Sequence, residues 1–323
     1  FGPLGAKGFA FLNMLQLIGW TSIMIYDAML ALQELAPLSP MIWTIAIGAL
    51  VILWLFIGLH NTGYIQAIVS VLLLGLTLYM GAHMISQWPS EGSLLTSGNM
   101  SFIAALELSI AMPLSWLPLI SDYTRESKKP FSASLTSATV YTVTSIVMYT
   151  LGLSAAIFGG GDSIITIMMN AGLGLAGLIV IIFSTVTTTF MDAYSAGVSS
   201  TTIYNGASSK GIAVIVTIVG TIAAILYPMD DITDFLYLIG SVFAPMIAIL
   251  LADYFINRQQ VQTLSAYLVR GLIWAVSVGL YHYMLHSEST IGATLPAFTM
   301  AFVVTAIVGF ISKTAHTSAE IKQ

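Results

Sequence analysis

The sequence contains no cysteine, which excludes disulfides and any thiolate metal site. Charge is nearly as scarce. Asp, Glu, Lys and Arg together make up 7% of the 323 residues, against about a quarter in soluble domains. The basic residues are few and scattered, so there is no footprint for a nucleic acid. What remains is apolar: 57% of the residues are hydrophobic and the mean hydropathy is +0.93. No soluble core of this size hides so much apolar surface. The apolar runs are also too long and continuous for the alternating strands of an outer-membrane barrel. Composition therefore defines an all-α polytopic membrane protein, read as a single transmembrane domain over residues 1–323.

A spanning helix needs about 20 apolar residues. Ten candidate spans meet that length, at residues 9–32, 41–59, 64–85, 102–120, 135–158, 173–201, 212–227, 232–256, 266–285 and 292–311. The short polar turn His60-Asn61-Thr62-Gly63 favours an antiparallel hairpin. Gly159-Gly160-Gly161-Asp162 and Tyr227-Pro228-Met229-Asp230 are further turn signals. If the spans alternate in direction, all 9 basic residues fall on one side: Lys7, Arg125, Lys128, Lys129, Lys210, Arg258, Arg270, Lys313 and Lys322. The other side receives Glu34, Glu91, Asp162, Asp230, Asp231 and Glu288. Membrane orientation follows Lys and Arg, so both ends of this chain are expected in the cytoplasm, with the protein in the inner membrane. The chain starts at Phe1 just ahead of an apolar run, and an N-terminal truncation is expected.

Three spans carry polar groups where lipid disfavours them. Residues 101–125, SFIAALELSIAMPLSWLPLISDYTR, hold Glu107, prolines at 113 and 118, and a polar cluster from Asp122 to Arg125. A carboxylate in hydrocarbon costs on the order of 2.5–3.5 kcal/mol even on the generous insertion scales. A proline removes a backbone donor and clashes with the preceding turn. The stretch is therefore expected to be a broken helix beside a substrate site, with Glu107 protonated or facing a cation or polar ligand. The first span places Asn13, Gln16, Trp20, Met24 and Asp27 on one helical face. Trp20 offers a flat surface on which a planar ring can stack, and the amides can read polar edges. Helix packing is the other reading of these residues. In the sixth span Thr185, Thr188, Asp192, Ser195 and Ser199 share a face, widened by Ser184 and by Thr187 to Thr189. Hydroxyl and carbonyl oxygens are hard ligands suited to Na⁺. The alternative is that these hydroxyls bond back to their own helix.

Three runs, NMLQLIGWTSIM, ISDYTR and TTTFMDAYSAG, together resemble the nucleobase–cation symporter family, the permeases of cytosine, purines, uracil, thiamine precursors and allantoin. The likeness is strongest to its cytosine-permease-like branch, whose members are described as hydroxymethylpyrimidine transporters. The resemblance implies a LeuT-like inverted-repeat fold of twelve helices, of which this chain supplies the third to the twelfth. The family's first helix, which carries half of the substrate and cation sites, would be missing, and the chain alone would not transport. The resemblance puts Trp20 under the substrate ring. A family Gln one turn later falls at Met24, so that edge contact is lost or moves to Gln16. A Trp of the family's sixth helix corresponds to Trp116, and a base-binding Asn of the eighth to Asp192. Na⁺, where used, would sit on Ser184, Thr185, Thr187 or Thr188.

The function expected is import of a pyrimidine-type base or precursor, such as cytosine or hydroxymethylpyrimidine, by a Na⁺- or H⁺-coupled symporter working by alternating access. Gln16, Trp20, Glu107, Trp116 and Asp192 would bind substrate. No cofactor beyond the coupling ion is expected, and no partner beyond substrate and lipid. The alternatives are a carrier of the same fold for purines, allantoin or hydantoins, or amino acids, and, from another class, a membrane-embedded enzyme. Against an enzyme, no His falls in mid-span with the Ser/Thr stripe.

The absence of cysteine makes orientation directly measurable. In intact cells, a membrane-impermeant maleimide should label a cysteine placed at Asp231 and leave one placed at Lys210 unlabelled until the cells are opened.

Overall fold

In a computed structural model, residues 1–35, 38–57, 62–86, 100–124, 127–158, 172, 174–258, 263–287 and 289–320 are described. Among them lie ten helices long and apolar enough to cross a membrane, and no strand. In chain order they are α1 (Gly2–Leu35), α2 (Pro40–Ile57), α3 (Thr62–Ser86), α4 (Phe102–Thr124), α5 (Pro130–Phe158), α6 (Gly174–Ile203), α7 (Ser209–Leu226), α8 (Thr233–Leu251), α9 (Leu264–His286) and α10 (Thr294–Glu320). Each expected span has its helix. The Gly159-Gly160-Gly161-Asp162 turn and Arg125, Glu91 and Glu288 lie outside the described residues.

One expectation is corrected. The stretch around Pro113 and Pro118 is not broken: α4 runs continuously from Phe102 to Thr124 with both prolines inside it. Each proline removes one N–H, the donor that would otherwise reach the carbonyl four residues earlier. The rest of the ladder survives. Nearby hydroxyls bond within the same helix, Ser109 to the Ala105 carbonyl at 2.9 Å and Ser115 to the Met112 carbonyl at 2.7 Å.

The chain divides into two compact units. The first comprises Phe1–Gln16, Gly98–Ile120 and Asp231–Gln323, so it holds the start of α1, most of α4, and α8 to α10. Here α8, α9 and α10 pack on one another. Asp231 accepts from the Thr233 amide at 2.9 Å where α8 begins, and the hydroxyl and amide of Thr233 hold this exposed carboxyl below the usual carboxylate range. Ala248, Ile249, Ile273 and Ala301 form a core cluster, flanked by Trp274, whose indole donates to the Val242 carbonyl at 2.9 Å. α8 ends in a π-helical segment, Ala252–Asn257, that carries a buried polar network. Arg270 forks onto Asp253, Nε to Oδ2 at 2.8 Å and Nη2 to Oδ1 at 2.9 Å. Asn257 donates to Asp253 at 2.8 Å and to the Thr305 carbonyl at 3.0 Å. Gly309 leaves room for it: a Cβ there would lie 2.0 Å from the Asn257 amide.

The second unit comprises Leu17–Ser97 and Ser121–Asp230. In it α6 packs on α7, α2 and α3, α2 packs on α7, and α3 packs on α5. Small residues set the spacing, as they do where lipid gives helices no hydrophobic reason to associate. A Cβ on Gly220 of α7 would come 2.7 Å from Thr21 Cγ2 of α1, and one on Gly48 of α2 would come 2.3 Å from Thr221 Oγ1. Ile25, Ala28, Ala31, Leu32, Ile47, Leu178 and Ala224 form the core cluster of this unit.

The Asp253–Arg270 pair is nearly buried, with side-chain exposures of 14% and 6%. Removing one partner of such a pair strands the other charge. Asp253→Asn should therefore lower stability by about 3–5 kcal/mol, read as a fall in the unfolding temperature in detergent.

Candidate functional site

The polar residues that lipid would otherwise exclude lie on the start of α1 and on α4 in the first unit, and on the rest of α1 and on α6 in the second. On α6, Ser184 and Asp192 are partly buried, Thr187 is buried and Thr188 is exposed. The hydroxyl protons are used within the helix: Thr187 donates to the carbonyls of Phe183 and Ser184 at 2.8 and 3.0 Å, Thr188 to that of Ser184 at 2.8 Å, and Thr189 to that of Thr185 at 2.7 Å. This back-bonding satisfies the hydroxyl donors and leaves these oxygens able only to accept or to act as lone-pair donors. Ser184, Thr188 and Asp192 recur every four residues, so they line one face. Asp192 makes no hydrogen bond or ion pair among the described residues. Trp20 is partly buried in the same unit.

In the first unit the residues expected to bind substrate do not all meet. Gln16 is buried, 4% exposed, and its amide nitrogen donates to Asn13 Oδ1 at 2.7 Å and to the Ser115 carbonyl at 2.9 Å. This brings Gln16 to the α4 backbone beside Trp116, itself partly buried. Glu107 lies a little over two helical turns before Ser115, about 12 Å along the axis, too far to join them.

The sequence left Glu107 without a protein partner, and the structure supplies one. Its carboxylate, 5% exposed, takes the amides of Ala293 and Thr294 at 3.1 Å each on Oε1, and on Oε2 the Thr294 amide at 3.0 Å and the Thr294 hydroxyl. These are the orphan donors at the start of α10, where the helix dipole is also positive, so the carboxylate acts as an N-terminal cap donated by another helix. Gly292 makes the approach possible. Its φ is +78°, and a Cβ would lie 2.2 Å from Glu107 Oε1. The buried ring of Tyr281 packs beside Ala293 and Ala297 in the same cluster. Glu107 also borders a cavity of about 750 Å³ lined by Ser101, Asp234, Tyr237, His286 and Ser289. Gly292, Ala293 and Thr294 went unnoticed in the sequence. The signal was GATLP, a glycine and a Thr just ahead of a proline in the first turn of a helix.

Ten membrane-length helices among the described residues, with polar groups placed inside them, make this a multi-pass membrane protein. The fold agrees. A structure of Mhp1, a nucleobase-cation-symport-1 family transporter in a closed conformation with bromovinylhydantoin bound, aligns with a TM-score of 0.75 and 17% identity, covering 94% of this chain and 76% of that one. The fold is thus the LeuT-like one. Over residues 6–321 the sequence matches the family of permeases for cytosine/purines, uracil, thiamine and allantoin, and the chain belongs to that family. It is also similar to the cytosine permeases of Escherichia coli K12 and O157:H7, 25% identical to each over 185 residues, or 56% of this chain. Those alignments span 44% of the length of the relatives.

Removing the Glu107 carboxylate leaves the α10 donors buried and unmatched. Glu107→Ala should cost at least about 2 kcal/mol of stability. Gly292→Ala should be comparably harmful, through its positive φ and the clash with Oε1. Thermal unfolding of both variants in detergent checks this, with the volume-conserving Leu106→Met, at an exposed position beside Glu107 on α4, as a near-neutral control.

Proposed function

We propose that this chain is the transporter domain of a cation-coupled symporter that imports a pyrimidine-type base or precursor, cytosine or hydroxymethylpyrimidine, across the cytoplasmic membrane by alternating access. The observation that carries the reading is Asp192, a carboxylate inside a membrane span with no protein partner among the described residues. Such a group is retained where a ligand, a cation or a proton completes it. An aminopyrimidine supplies the complement, because a carboxylate accepts from an exocyclic amine. Trp20 stacks the ring, and Trp116 is the second aromatic candidate. The oxygens of Ser184, Thr185, Thr187 and Thr188 take Na⁺; a proton on Asp192 is the other way to couple. Cation and substrate bound together favour one state of the carrier over the other, which is the basis of coupled import. Support comes from the family match, from the cytosine permeases among the relatives, and from the planar heterocycle held by a protein of the same fold. That heterocycle, a hydantoin, is also what favours a second reading, a carrier of hydantoin or allantoin.

The test is a tryptophan-fluorescence titration of the complete protein with hydroxymethylpyrimidine, cytosine, uracil and hypoxanthine, each with and without Na⁺. One aminopyrimidine should quench, more tightly with Na⁺. Asp192→Ala should abolish uptake of that labelled base in proteoliposomes; undiminished uptake would overturn the assignment.

A further inference from the structure

The cavity that Glu107 borders lies wholly within the first unit. Its walls come from the start of α4, the starts of α8 and α10, and the end of α9. By the distribution of Lys and Arg, this is the end of the unit expected outside the cell. Its volume of about 750 Å³ is that of a small-molecule pocket, which runs at roughly 300–1,000 Å³. The lining falls into two parts. One is apolar, with Met100, Ile103 and Ala104 at the start of α4 and Met284 and Leu285 at the end of α9. The other is polar and consists mostly of acceptors. His286 Nδ1 faces the His282 carbonyl at 2.8 Å, and a backbone carbonyl only accepts, so Nδ1 carries the proton. In the neutral ring Nε2 is then an acceptor. Tyr237 adds a hydroxyl and an aromatic ring. Both oxygens of Glu107 are already taken by donors at the start of α10. The charge left for a ligand is that of Asp234, which makes no hydrogen bond or ion pair among the described residues. The first turn of α8 suits an acid, which explains why Asp234 is there and leaves its charge without a counter-ion. No Lys or Arg is among the described residues of the lining.

We propose that this cavity is a ligand site for an organic cation, an alkylamine or arylalkylamine whose ammonium sits on Asp234 and His286 and whose apolar body lies against Met100, Ile103, Met284 and Leu285. The two halves of the lining exclude the other classes. An anion meets Asp234 with no basic residue to offset it. A bare metal ion leaves the apolar wall wet. A neutral apolar molecule covers Asp234 without matching its charge, which is costly. An ammonium supplies up to three donors to a set of acceptors and can rest on the Tyr237 ring. The site is independent of the nucleobase reading, and either can fail without the other.

The experiment is isothermal titration calorimetry on the complete protein in nanodiscs, with the heat of empty nanodiscs subtracted. The probes are phenylbutylamine, phenylbutanol and phenylbutanoate, which share a body and differ in charge. The amine should bind saturably, the alcohol about tenfold or more weaker, and the carboxylate not at all. Asp234→Asn keeps the shape and removes the charge, and should weaken the amine about tenfold or more while leaving the alcohol unchanged. Asp230→Asn, an exposed acid of the other unit, should leave the amine unchanged. Ala104→Phe fills the cavity and should abolish binding of both amine and alcohol, with the unfolding temperature showing that the variant folds. The proposal is overturned if the amine does not saturate, if the alcohol binds as well as the amine, or if Asp234→Asn leaves the amine unaffected. That last result does not depend on Ala104→Phe being tolerated.

Discussion

The interior of a bilayer contains no water, so every polar group placed there must find its partner within the protein or in what the protein carries. That constraint organises this molecule. The hydroxyls of α6 turn back onto their own carbonyls. Asn257 inserts into a gap beside Gly309 to reach a carbonyl of α10. Asp253 and Arg270 satisfy one another as a fork. Glu107 closes the open end of α10. Once these pairs are made, few polar atoms are left over. Among the described residues Asp192 stands out, because it lies on the polar face of a membrane helix.

Those leftovers separate structure from function more sharply than polarity alone. Glu107 and Asp192 are both carboxylates within spans, and residue type cannot rank them. Their surroundings can. Glu107 faces a helix terminus that needs an anion, which gives it a full structural role. Asp192 has no such partner among the described residues.

The helices were legible in the sequence because each is a run of about membrane length closed by turn residues, a pattern local to the chain. The two prolines of α4 misled. Each removes a single donor, too little to end a helix whose remaining ladder and side-chain hydroxyls hold. The partner of Glu107 was illegible for a different reason. It lies 187 positions along the chain, and no periodicity joins positions so distant. The contact of Gln16 with Ser115, across 99 positions, is hidden in the same way.

Distance along the chain is also distance in time. A ribosome adds about 5–20 residues per second, so on the order of 10–40 s separate the emergence of Glu107 from that of Thr294. During that interval α4 carries its carboxylate without the helix end that matches it. It must stay near water or the insertion machinery, or hold a proton, until α10 arrives. The clasp between α4 and α10 is therefore an event of biogenesis as well as a contact. It makes one end of an early helix wait on a late one, and it gives the cell's quality control a defined window in which to find the protein unfinished.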